Sequence, residues 1–398
     1  MRPLALLLAL LLLLPFSAGP VAAAPTGRVY RLTSDLGVPA DRGVNVADRI
    51  SQAIDRLAPG DTLLFEGMYR VDWGVHIWGK SRITLARADG VAEAGLLRLA
   101  QPEKPDGWGV EQPWYQYFQI VGSDDVTILN LTIRGPNRER RYSGAHFESA
   151  HGFQVQASQR IRIAGARVFG VHGDVMRVAE RPCRIDRCLF PTSDILFEDG
   201  YGYMPGRHAF AMVAGRRITV RRSKIEMAAR SGVDFEPISS EPGIVSDVLF
   251  EDVTLWDYVN HGIAFHRNTA YRYVFRRMNL RGGLGAADMV SDNRVPPIFP
   301  PHEDIVFEDF TYTNKTPNPR RAGEYWLGGF RAEGLINLLV VRANMEFGNW
   351  KFAVLSSQGY VQGSVFRNDW GRPAACLGPA MTEANNVGTF RPCPSRER

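Results

Sequence analysis

From about residue 118 the chain repeats one unit: two β-branched or apolar residues in alternation, a short polar corner, then two more. Clear copies are VTILNLTI (126–133), IRIAGARV (161–168), ITVRRSKI (218–225), VLFEDVTL (248–255), YVFRRMNL (273–280) and IVFEDFTY (305–312). DILFEDG (194–200) and GYVQGSVF (359–366) are partial copies. The steps are irregular, about 25 to 35 residues, within the period range of solenoids. Strand, corner and strand with no long helix between copies excludes a doubly wound α/β fold. The pattern predicts parallel strands coiled and stacked on themselves. Each coil buries its inward residues only against its neighbours, so the array folds as one unit. A β-sandwich is the second choice. It needs hairpin turns, and Asp89-Gly90 and Asp199-Gly200 are among the few signals of that kind.

One helix is expected ahead of the strands, over about residues 45–58. Val46, Ile50, Ala53, Ile54 and Leu57 recur at helical spacing, and Pro59-Gly60 ends the run. The opening DLGVPADRGVNVADRISQAIDRLAPGDTLLFEGMYRV resembles the N-terminal cap of the pectin lyase-like superfamily of right-handed parallel β-helices. The resemblance extends from about residue 30 to about 370. It implies a right-handed parallel β-helix closed by an N-terminal capping helix, all-β apart from that cap. It also implies carbohydrate chemistry without choosing the reaction, because the superfamily holds hydrolases, lyases, epimerases and non-catalytic adhesins.

Residues 1–24 read as a secretory signal peptide: Arg2, an apolar run from Leu4 to Leu14, then small residues ending in Ala22, Ala23 and Ala24. The run is too short to span a bilayer, and no later segment is apolar enough. The expected mature chain, 25–398, is one domain with a cap at about 30–60 and a C-terminal tail from about 371. Its destination is outside the cell or the periplasm. An oxidising compartment makes the four cysteines readable as two local disulfides, Cys183 with Cys188 and Cys376 with Cys393, although three connectivities are open. No CxxC spacing suggests zinc, so no metal is assigned. The formal charge is +5, or +4 once Arg2 is removed (5 − 1). This slightly favours an anionic polysaccharide as partner, and the lack of a dense basic run speaks against nucleic acid.

The stretch SGVDFEP (231–237) carries the site hypothesis. Val233 and Phe235 alternate with Asp234 and Glu236, so an inward apolar pair sets two carboxylates on the outer face. Aligning third strands by their alternation places Met176, Val178, Phe210, Met212, Ile263 and Phe265 inward. Arg177, Arg207, Ala209, Ala211, Gly232, Gly262, Ala264 and His266 then face outward. Small neighbours would leave Asp234 and Glu236 standing in the floor of a shallow groove. Residues two apart on a strand lie roughly 6.5 Å apart, compatible with the roughly 6.5–9.5 Å that inverting glycosidases keep between acid and base. Two close carboxyl groups divide into one acid and one base or nucleophile. Glu236 is taken as the acid and Asp234 as the base. Solvated surface, or ion pairs to Arg177, Arg207 or Arg230, is the bland alternative.

Other residues join as substrate contacts. Arg207 has the planar fork that suits a sugar carboxylate, or else pairs with Asp234. His208 and His261 fall in the inward register and read as structural. His266 should stand beside Glu236. HGD (172–174) resembles the Gly-Asp-Asp motif of polygalacturonases and brings His172 and Asp174 toward the groove. It has a single Asp, and neither Gly-His-Gly nor Arg-Ile-Lys follows, which speaks against a polygalacturonase. The loop 101–117 holds Trp108, Trp114, Tyr115 and Tyr117, rings on which apolar sugar faces pack. Asn130 and Asn314 begin glycosylation sequons, and Asn130 sits at a coil corner.

Three functions follow. The first is a glycoside hydrolase acting through Asp234 and Glu236, needing no cofactor. The second, implied by the superfamily, is a lyase or epimerase acting on uronic acids, with an Arg base (Arg177 or Arg230) and Ca²⁺ held by Asp234, Glu236 and Asp174. The third is a non-catalytic carbohydrate-binding surface protein.

Overall fold

A computed structural model describes residues 27–100, 115–142, 147–179, 191–236, 244–265, 269–290, 302–314, 329–347, 351–355, 357–368, 375–388 and 390–393. The leader 1–24, Trp108, Trp114, His266, Cys183 and Cys188 lie outside them. Among the described residues, strands fall into three sheets of 13, 11 and 12 members, all paired in parallel. The chain visits the sheets in turn, one strand each per coil: Ser193–Glu198, Tyr201–Tyr203, Phe210–Met212, then Gly215–Arg221, Lys224–Glu226, Val233–Phe235. This is the stack of parallel coils expected from the repeat, the right-handed parallel β-helix that the resemblance implied. The helix Ala47–Asp55 buries Ala47, Ile50, Ala53 and Ile54. It is shorter at both ends than the periodicity suggested. No helix among the described residues is long and apolar enough to cross a membrane.

The expected C-terminal tail is partly coil. Ala375–Leu377, Met381–Ala384 and Phe390–Pro392 extend the stack, and the Cys376–Cys393 disulfide ties Ala375–Leu377 to the residue just past its neighbour Phe390–Pro392. The inward register is as read: Met176, Val178, Phe210, Met212, Val233, Phe235, Ile263 and Phe265 are all in the core. The Phe235 and Phe265 rings stack at 4.6 Å, one coil above the other.

The polar corner of each repeat is one residue in the left-handed backbone region. Asn130, Asp199, Arg222, Asp252, Arg277, Asp309 and Arg342 all have φ between 47° and 57°. That region is costly for arginine, which has no local side-chain compensation. The cost is offset by pairing up the stack. Arg222 forks onto Asp199, Arg277 onto Asp252 and Arg342 onto Asp309, each through Nε and Nη2 at 2.6–2.9 Å. A second ladder marks the entry to the first sheet, where Arg217 forks onto Asp194 and Arg272 onto Asp247. The signal stands in the sequence as alternating pairs: Glu-Asp at 198–199, Arg-Arg at 221–222, Glu-Asp at 251–252, Arg-Arg at 276–277, Glu-Asp at 308–309.

Glu198 is the most enclosed member, with a side chain 2% exposed between Arg162, Arg221 and Arg222. Burial opposes its charge, but hydrogen bonds from Arg221, Arg162 and Arg222 prevail and hold its carboxyl below the ordinary value. Asp194, Asp252 and Asp309 are lowered by Arg217, Arg277 and Arg342. Depressed carboxyls stabilise the fold above their unfolded values of about 4 and lose that contribution as pH falls through the folded values. Urea unfolding followed against pH should therefore show stability dropping below about pH 4. Glu198→Gln should cost about 2 kcal/mol at neutral pH and flatten the acid drop. An unchanged acid limb would show that the ladder contributes nothing there.

Candidate active site

The third sheet carries the acidic pair. Its register places Phe153, Met176, Phe210, Val233 and Ile263 in one inward column. Two residues before them stand His151, Asp174, His208, Ser231 and His261, and one residue after stand Gln154, Arg177, Ala211, Asp234 and Ala264. From His151 to Ser231 the first of these columns is a buried polar stack. Asp174 N–H donates to His151 Nδ1 (3.1 Å), His208 N–H donates to Asp174 Oδ1 (2.9 Å), and Ser231 N–H donates to His208 Nδ1 (3.1 Å). Each coil thus supplies a side-chain acceptor for the next coil's backbone.

His208 is buried, as its inward register implied, but its role is wider than structural. With Nδ1 accepting from Ser231, the ring proton sits on Nε2, which lies 2.9 Å from Asp234 Oδ2. Arg207, the residue before, is 6% exposed and reaches Glu236 in an ion pair. Its Nη1 lies 3.5 Å from Asp174 and its Nε 3.9 Å from Glu148. Burial works against charge on Asp174; Arg207 and then His151 override it and hold the carboxyl far below the ordinary range. The same carboxylates, Asp174 and then Glu236, raise Arg207 against its own burial.

Several expectations need correction. Asp234 does face away from the core, but it is 0% exposed, so it does not stand in an open floor. Only Glu236 of the pair reaches solvent, its side chain 32% exposed. Arg207 is buried, and its partners are Glu236 and Asp174, neither a free sugar-binding fork nor a bridge to Asp234. Asp174 is fully buried and committed to His151 and Arg207. Ala209 belongs to the core. Gly232 and Gly262 are small because coils approach closely: a Cβ on Gly262 would lie 2.1 Å from the Leu280 side chain. Tyr115 and Tyr117 are buried, Tyr117 beneath the Arg98 guanidinium, so neither offers a sugar platform. Asn314 is buried and its Nδ2 donates to the Gly283 carbonyl, which removes it as a glycosylation site.

Other candidates keep partial access. Arg177 faces outward, half-buried, two coils before Asp234 in the same column. His172 is largely enclosed, 5.4 Å from the Phe147 ring, and burial followed by the Arg98 charge pushes it down to about 4. Exposed Tyr142 donates to Glu148 (2.8 Å), and the Arg230 guanidinium lies 5.0 Å over its ring, forming a rim beside Arg207. Asp288, which sequence reading passed over, also faces outward; the alternation Ala287-Asp288-Met289 was the signal.

His208, Asp234 and Glu236 offer ligand atoms within 4.8 Å of one another. A divalent cation there needs the Nε2 lone pair, and the Ser231 N–H directs the proton onto that nitrogen. Metal-bound histidines usually donate from their other nitrogen, the reverse of this arrangement. The residues present do not fit a cation bound through His208. Asp174, turned toward Arg207 and His151, does not complete a calcium cage either.

No protein-family model matches the chain. It is similar to endopolygalacturonase I of Aspergillus aculeatus, 27% identical over 186 residues, 45% of this chain and 43% of that protein. It is also similar to endopolygalacturonase B of Aspergillus niger, 28% identical over 161 residues, 38% of this chain and 39% of that protein. The chain spans less than half the length of these curated relatives. The missing Gly-Asp-Asp, Gly-His-Gly and Arg-Ile-Lys motifs had pointed away from these enzymes, so this likeness runs against that inference. Among solved structures, the Yersinia enterocolitica family 28 exopolygalacturonase superposes with a TM-score of 0.54 at 12% identity, covering 92% of this chain and 77% of that one. The catalytic unit of a GH87 alpha-1,3-glucanase from Streptomyces thermodiastaticus gives 0.55 at 12%, covering 93% and 70%. These structures share the fold.

Removing Arg207 would leave a buried carboxylate at Asp174 without its cation. Arg207→Met should cost about 3–5 kcal/mol in denaturant unfolding, while Arg177→Met should cost about 1 kcal/mol or less. Equal effects would contradict the buried network.

Proposed function

We propose that the chain is a glycoside hydrolase that cleaves an acidic polysaccharide of the pectin type outside the cytoplasm. The observation that carries this reading is the pair Asp234 and Glu236 on the outer side of the third sheet, held by His208 and Arg207. The likeness to endopolygalacturonases supports it, and the leader-like segment 1–24 supports export. Hydrolysis by carboxyl groups and water requires no cofactor. Asp234 and Glu236 remain the central residues, with a division of labour set by access: Glu236 meets the glycan, and Asp234 stands behind it.

Arg177 supplies a half-buried cation about 10 Å along the stack from Asp234, a place for a uronate carboxylate. Arg230 and Tyr142 offer a cation and a ring face at the rim, the combination that suits an acidic sugar. Asp174 and Arg207 act at one remove by holding the pair in place. His172, His266, Trp108 and Trp114 stay as proposed substrate contacts. A hydrolase releases reducing ends, whereas a lyase makes an unsaturated sugar that absorbs in the ultraviolet.

Purified protein incubated with polygalacturonate and a panel of neutral glycans should release reducing ends from the acidic polymer without new ultraviolet absorbance. Chelation should leave the rate unchanged. Glu236→Gln should lower kcat about 10³-fold with the thermal midpoint retained. Binding without any product would favour the non-catalytic reading, and chelator-sensitive absorbance would favour the lyase.

A further inference from the structure

We propose that residues 137–142 form a cationic strap that binds an acidic polysaccharide beside Glu236, with Arg138, Arg141 and Arg230 meeting its carboxylates. The proposal rests on the hydrolase reading for the reaction and adds the element that selects acidic over neutral chains. The strap belongs to an insertion in its coil. The segment 135–152 joins the strands Thr132–Arg134 and Phe153–Gln156, where 170–175, 204–209 and 227–232 make the same turn in the next three coils. Its first part, 135–142, runs past those coils as far as Ala228.

The shape of the strap is fixed by its own buried contacts. Asn137 is 4% exposed and clamps the turn: its Oδ1 accepts from the Arg141 N–H (3.3 Å), and its Nδ2 donates to the Arg141 carbonyl (3.2 Å). The Asn137 N–H donates to the Gly170 carbonyl (2.8 Å). Half-buried Arg140 donates from Nη2 to the Ala228 carbonyl (3.3 Å), three coils further along the stack. Tyr142 donates to Glu148, whose carboxylate lies 3.9 Å from Arg207, and Arg207 pairs with Glu236. The strap therefore ends beside the outer carboxylate of the site, with Glu148 and Arg207 between. A loop held at both ends loses little freedom on binding, so more of each contact is realised as affinity.

Charge identifies the partner. Arg138 and Arg141 are exposed, and neither has an ion pair among the described residues. Arg230 lies over the Tyr142 ring at 5.0 Å and likewise has no carboxylate partner there. Many outward arginines elsewhere are matched: Arg134 by Glu93, Arg160 by Asp125, Arg217 by Asp194 and Arg222 by Asp199. The strap has one acid of its own, Glu139, against Arg138, Arg140 and Arg141. Unmatched guanidinium groups around one exposed ring complement a chain whose sugars carry both apolar faces and carboxylates. Each planar fork can take a uronate carboxylate through two parallel hydrogen bonds. A neutral glycan would leave these cations unanswered.

The test uses Arg138→Gln/Arg141→Gln and Arg138→Lys/Arg141→Lys in the full chain, with thermal midpoints measured alongside. Binding to polygalacturonate and to a neutral polysaccharide is read by calorimetry in a Glu236→Gln background, which keeps the polymer intact. The Gln pair should weaken polygalacturonate binding about 3- to 10-fold and flatten its dependence on salt. The Lys pair should keep the salt dependence and recover part of the affinity. With Glu236 restored, the loss in kcat/KM on polygalacturonate should be carried by KM. Unchanged affinity and salt dependence in the Gln pair overturn the strap, and turnover by the same protein would leave the hydrolase reading standing. Equal losses on acidic and neutral chains overturn the selection by charge. Wild-type protein that binds polygalacturonate through Arg138 and Arg141 yet releases no reducing ends supports the strap and sinks the hydrolase reading.

Discussion

Every functional position in this molecule depends on coils stacking in one register. A strand that slipped by a single residue would turn its whole inward set outward. Core packing forbids that one-residue slip but is weaker against a two-residue slip, which keeps the Phe and Val columns inward. The corner ladders specify the register closely. An arginine held in the left-handed region of one coil forks onto an aspartate held there in the next, at Arg222 and Asp199, Arg277 and Asp252, Arg342 and Asp309. The bidentate geometry has one good alignment. Exposed pairs of this kind contribute little individually. Repeated up the stack, they penalise every misaligned coil at once.

With register set, the third sheet converts sequence spacing into columns. One column stacks His151, Asp174, His208 and Ser231, each accepting from or donating to the next coil. Arg207 completes a cluster in which charges are buried and matched. Such a cluster is costly to assemble and costlier to break on one side. Its consequence is rigidity: Asp234 and Glu236 are held from behind by His208 and Arg207, leaving little freedom in where the outer carboxylate points. Preorganised groups of that kind are what a developing charge in a transition state requires.

The same arithmetic separates structural from reactive carboxylates. Glu198 and the ladder aspartates are forked by arginines, and Asp174 is buried against His151 and Arg207. Glu236 keeps solvent access, its side chain 32% exposed. Access, more than acidity of composition, distinguishes the groups able to meet a glycan. It also explains why two acidic residues two positions apart differ in role: Asp234, inside the strand Val233–Phe235, lies beneath its neighbours, while the longer Glu236, just past the strand end, clears them.

The sequence by itself determined the coil. Alternation around a polar corner, repeated without helices, leaves no other economical way to bury Val233, Phe235 and their counterparts, and the capping helix was legible from its periodicity. It also marked Asp234 and Glu236 as outward, because period-two alternation depends on the strand alone. Tertiary structure decided everything that depends on neighbours from other coils. Whether an outward residue is open or covered, as with Asp234, is a property of the stack and not of the strand. So are the partners of Arg207, brought from positions 148, 174 and 236, and the closeness of backbones at Gly232 and Gly262. So is the place of Asp288 across Ala264 from Asp234, which exists only once irregular steps have been folded into regular coils, since the spacing of strands, unlike the spacing of residues, is set by hydrogen bonds between them.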